Sequence, residues 1–76
     1  MTVDAEILLF TNRFVRKALI AKELGVSRQT VGTWMRSERP IRPIYLAAIM
    51  SILKAELREI ELQYGRFVEL KLAGEI

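Results

Sequence analysis

Seventy-six residues suffice for one small domain with one hydrophobic core and leave no room for a second. The chain is 51% apolar with a mean hydropathy of +0.19. That is rich for a small single domain, so some apolar surface is expected to meet another subunit. It has no cysteine and no histidine, which excludes disulfides and thiolate zinc sites and removes the commonest general base and metal ligand. Ser27, Ser37 and Ser51 have no imidazole to activate them, and Glu56, Glu59 and Glu61, interleaved with Lys54 and Arg58, read as a solvated helix face. No catalytic site, metal, cofactor or small-molecule ligand is expected.

The net charge is only +3, but it is segregated. Between Arg13 and Arg42 eight basic side chains face two acidic ones, a net +6, whereas residues 44–76 carry four basic and five acidic side chains, a net −1. A basic half joined to a near-neutral half points to one polyanion-binding face and a separate interaction element. Asp4 and Glu6 precede the first apolar run where a secretory leader would be positive. The longest unbroken apolar window, Ile44 to Met50, is too short to span a bilayer. A cytoplasmic protein with no membrane contact is expected.

In chain order, Val3, Ile7 and Phe10 recur at helical spacing, with Thr2 or Asp4 able to cap the start and the helix ending near Thr11 or Asn12. Asn12 is placed to cap a second helix, from about Arg13 or Val15 to Leu24, whose stripe is Phe14, Ala18, Ala21 and Leu24. Gly25 follows, where a left-handed residue ends a helix. Val26 plugs the turn into the core, and Ser27 is a good N-cap for a third helix ending near Arg36 or Ser37. At about 100° per residue, Arg28, Gln29, Gly32, Thr33 and Arg36 share an arc of roughly 140°, with Val31, Trp34 and Met35 opposite. Trp34 reads as core rather than as a stacking platform. Ser37 to Arg42 is a polar connector containing Pro40, and Pro43 suits the first position of a fourth helix.

From there Leu46, Met50, Leu53, Leu57, Ile60, Tyr64 and Phe67 alternate by fours and threes, a coiled-coil seam of about three heptads. Ile49 and Ile52 widen it where it packs on its own domain. Beyond Leu53 so small a monomer has nothing to cover it, which makes Leu53, Leu57, Ile60, Tyr64 and Phe67 candidates for a homodimer interface. Gly65 argues against clean continuation. The alternation of Val68, Leu70 and Leu72 fits a short intersubunit strand as well as a helix end, so helix is expected to about Gln63 and 66–72 stays open.

Residues 17–36 resemble the helix-turn-helix of small bacterial and phage transcriptional regulators of the lambda-repressor/Cro type. Ala21 falls where the two helices cross closely, Gly25 at the turn, and Ile20, Leu24, Val26, Val31 and Trp34 at the buried positions. The likeness extends over roughly residues 3–53. It implies a helix-turn-helix DNA-binding domain over 1–53; with the long C-terminal helix an all-α bundle of four to five helices is expected, and the uncovered seam, not the likeness, makes 54–76 a C-terminal dimerisation extension. The likeness also implies base contacts from Arg28, Gln29 and Thr33 and phosphate contacts from Ser27 and Arg36. Arg is suited to guanine, Gln to adenine and the Thr methyl to thymine. Lys17, Arg13, Arg16 and Arg39 are further phosphate candidates, with Arg42 beside Arg39 on the connector. Gly32 departs from the family pattern by presenting no side chain, and Arg16 and Lys17 stand where a small polar residue usually opens the first helix of the motif.

The function expected is a homodimeric regulator, a repressor reading an inverted repeat in double-stranded DNA. Two alternatives keep the fold: an excisionase-like architectural factor, or a DNA-binding antitoxin with a protein partner. A third is a helical protein-interaction adaptor with no nucleic-acid role.

Overall fold

The computed structural model describes residues 2–74. Residues 1 and 75–76, the outer ends of the two expected segments, lie outside the described residues. Four helices and no strand are present among them: α1 (Val3–Thr11), α2 (Lys17–Leu24), α3 (Arg28–Met35) and α4 (Pro43–Gly74). α1 packs on α3 and α4, and α2 packs on the same two. α3 and α4 meet through Trp34 and Tyr45, whose rings lie 5.3 Å apart.

Thr2 caps α1, its hydroxyl accepting from the Ala5 amide at 3.1 Å. The face α1 buries is not the one its apolar spacing marks: Ala5, Leu8 and Thr11 are buried, whereas Val3 and Phe10 are exposed. Leu8 and Thr11 stand one turn apart on the inner face. Thr11 can be buried because its hydroxyl donates to the Ile7 carbonyl at 2.8 Å. Asn12 closes α1 rather than opening α2, and residues 12–16 form a turn. Phe14 and Ala18 are consequently exposed, and Phe14 packs edge-on against Phe10 at 5.3 Å. Val15 and Ile41, each from a connector, complete the core formed by Leu8, Ile20, Ala21, Val31, Trp34 and Ile49.

α2 ends on Gly25 at φ 72°, with Gly25 N–H donating to Lys22 O and Val26 N–H to Ala21 O. This Schellman closure satisfies carbonyls the helix would otherwise leave open. α3 ends the same way around Ser37, a non-glycine residue at φ 59°. There Ser37 N–H donates to Trp34 O and Glu38 N–H to Thr33 O. A side chain in that region costs about 1–2 kcal/mol.

α4 starts at Pro43 and runs unbroken for 32 residues, about 48 Å. Gly65 stays helical, and 66–72 is helix rather than strand. No neighbouring strand supplies the ladder that the alternation would need, and the i to i−4 bonds are satisfied within the segment. Among the described residues none beyond Ile49 is buried. The helix therefore leaves its own domain after about Leu53 and projects, giving a molecule 54 × 23 × 18 Å in extent.

Candidate nucleic-acid interface

α3 is held by two buried anchors, Val31 and Trp34, the latter only 4% exposed. With those turned inward, Arg28 and Gln29 are exposed on the first turn. Ser27 caps that turn: its hydroxyl accepts from the Thr30 amide at 3.0 Å and pairs with the Thr30 hydroxyl at 2.9 Å. Thr33 is half-buried, and its hydroxyl donates to the Thr30 carbonyl at 2.7 Å. Its hydroxyl proton is thereby committed within α3, and the oxygen can still accept.

Gly32 is buried despite lying on the polar arc. A Cβ built on it would meet Arg36 Nη1 at 3.3 Å and Lys17 Nζ at 3.5 Å. Two cationic side chains, one from α2 and one from the end of α3, thus converge over a bare patch of helix. Glycine there costs helix stability, roughly 0.5–1 kcal/mol relative to Ala, and in return lets the two head groups approach each other.

Arg36 has a partner that its place on the helix does not announce. Its Nε donates to both carboxylate oxygens of Glu38 at 3.1 Å. The hydrogen bond from Arg36 holds the Glu38 carboxyl below the usual carboxylate range, and the same bond raises Arg36. The closure around Ser37 turns the chain back so that Glu38 reaches the guanidinium. The sequence signal was an acid set between Arg36 and Arg39.

The remaining candidates are more dispersed. Arg16 occupies the N-cap of α2 without making a side-chain cap hydrogen bond. Arg13 is exposed on the preceding turn with its guanidinium 5.7 Å from the centre of the Phe10 ring. Arg39 is exposed on the connector to α4. Geometry thus joins Lys17, Gly32 and Arg36 into one group beside Arg28 and Gln29, while Arg13 and Arg39 stand on separate turns. The candidate interface residues of α4 form a different surface: Leu53 is half-buried, and Leu57, Ile60, Tyr64 and Phe67 are exposed along the projecting helix.

The electrostatics of the three short helices differ. α1 carries Asp4 and Glu6 in its first turn, which suits the positive end of its dipole. α2 and α3 have no acid there, and instead open on Lys17, after Arg16, and on Arg28. A cation in that position opposes the dipole by about 0.3–1 kcal/mol. Both helices therefore sacrifice stability and add their dipole field to that of the side chains, an arrangement that attracts anions.

Among the described residues no group of three or more metal-ligating side chains is assembled, and no helix is long and apolar enough to cross a membrane. No family model matches the chain, and no curated protein or solved structure matches it either.

Proposed function

We propose that this chain is a sequence-specific DNA-binding transcriptional regulator, a homodimeric repressor that docks α3 in the major groove of an inverted repeat. The observation that carries this reading is the placement of cations at the N-termini of α2 and α3, where they cost helix stability, beside a helix edge that leaves Arg28 and Gln29 free. Phosphates supply most of the affinity through Lys17, Arg36, Arg16 and the flanking Ser27, Arg13 and Arg39, and this share is salt-dependent. Arg28, Gln29 and the Thr33 methyl select base pairs.

Selection of bound duplexes from a random pool tests the reading and returns the symmetry of the site. Against the recovered site, Arg28→Ala is expected to cost about 1–3 kcal/mol at one base pair and to relax the choice there. Unchanged discrimination removes Arg28 from this role. Failure to bind any duplex at low salt sets the DNA reading aside in favour of a protein-interaction adaptor.

The exposed stripe of α4 also suits a different protein chain, as in an antitoxin or an architectural factor acting with a partner. Light scattering on the purified chain separates the two: a dimer supports self-association, a monomer the unlike partner.

A further inference from the structure

We infer that two copies of this chain pair through α4 in antiparallel orientation, in the one register that sets Leu57 against the partner's Ile60, Leu53 against the partner's Tyr64 and Met50 against the partner's Phe67. This rests on the self-association proposed above and adds the geometry. The exposed apolar stripe continues from Met50, 50% exposed, to Phe67, 61% exposed. Most helical stability in proteins comes from packing of an apolar face, and a stripe spaced by threes and fours calls for a second helix.

The orientation follows from the residues flanking the stripe. One edge carries Lys54, Glu61 and Val68, and the other Glu56, Gln63 and Leu70. Lys54 and Glu61 are exposed, and neither is in an ion pair among the described residues. In a parallel pair each edge faces the opposite edge of the partner, so Glu56 would meet the partner's Glu61, a like-charge contact made twice by symmetry. In an antiparallel pair each edge faces itself. The stated register then sets Lys54 against the partner's Glu61 and Glu56 against the partner's Gln63. Sliding by one heptad in one direction sets Lys54 against the partner's Lys54 and Glu56 against the partner's Glu56. Sliding the other way sets Glu61 against the partner's Glu61. Only one arrangement keeps every stripe residue covered with no like charges opposed.

The chain has no native cysteine, and Met50 and Phe67 lie outside the core, so full-length Met50→Cys and Phe67→Cys variants should fold normally. Under mild oxidation, co-refolded Met50→Cys and Phe67→Cys chains are expected to form a covalent dimer, while each variant alone stays single-chain. In the proposed register the two copies of residue 50 are about 25 Å apart, beyond disulfide reach. Cross-linking of either variant with itself overturns the orientation. Absence of cross-linking in the mixture overturns the register. In that case light scattering on the wild type decides what else fails: a dimeric mass leaves self-association standing, and a monomeric mass removes it too. Independently, Glu61→Lys is expected to weaken self-association several-fold, up to about tenfold, and Lys54→Glu combined with Glu61→Lys to restore it. A parallel pair would instead be tightened by Glu61→Lys, and that result would also overturn the proposal.

Discussion

Glu38 decides how much of Arg36 is offered to a polyanion. Its carboxylate receives the Nε hydrogen bond, so a phosphate arriving at Arg36 competes with an acid already in place. Glu38→Gln removes that competitor and one negative charge. We expect tighter binding to random duplex at low salt, with the log–log salt slope steeper by up to about 0.9, one additional phosphate contact. Titrations at several salt concentrations check this, and an unchanged slope would place Arg36 outside the contact. The pair also carries a pH dependence. Because the Glu38 value is lowered in the folded chain, its contribution to stability is present above the ordinary carboxylate value and is lost as pH falls through the lowered one. Both groups are exposed, so the effect on stability is small. Sequence inspection finds Arg36 but not its restraint, because the pairing depends on a left-handed residue that nothing about serine announces.

Among the elements, the end of α2 and the whole of α3 were the most legible, since those boundaries rest on local chemistry, whereas α2 begins at Lys17 and not at the expected Arg13 or Val15. Gly25 supplies the left-handed residue and Ser27 the cap, each acting within five residues of its own position. α1 was legible as a helix but not in its orientation. Most of its nine residues are apolar, so several faces satisfy the spacing, and only contact with α3 and α4 selects Ala5, Leu8 and Thr11. The end of α4 stayed open for the opposite reason. Alternation at Val68, Leu70 and Leu72 satisfies a strand pattern, but a strand without a neighbour has no ladder, and the helix needs none. Two substitutions test how these ends are held. Ser37→Gly relieves the left-handed side chain at the end of α3, and a gain of about 1 kcal/mol is expected. In thermal unfolding this is a rise of roughly 4–8 °C for a domain of this size. Gly65→Ala fills a position where nothing lies within 4 Å of the added methyl. It should stabilise the exposed half of α4 by about 0.5–1 kcal/mol, seen as slower amide exchange on either side of residue 65.

The whole molecule is elongated. Its radius of gyration is 15.9 Å, where about 11 Å is expected of a compact chain of this length, and the projecting half of α4 accounts for the difference. The core and the exposed apolar stripe proposed for association are therefore separable. Ile60→Glu should leave the thermal transition of the isolated domain nearly unchanged while abolishing self-association. It should weaken binding to an inverted repeat far more than to a single half-site, because the second site is then no longer tethered. Equal loss on both would show that α4 acts through the fold instead. With α4 paired antiparallel, the two domains sit about 30 Å apart along the helix pair, close to the 34–36 Å between successive major-groove faces of a duplex.

Trp34 is the only tryptophan in the chain, and its indole rests on Tyr45 at the joint between α3 and α4. The protein thus carries an intrinsic fluorophore directly behind its candidate reading edge. Emission that stays constant when a duplex binds would mean rigid docking. A change in quenching would register rotation of α3 on α4, with no dye attached.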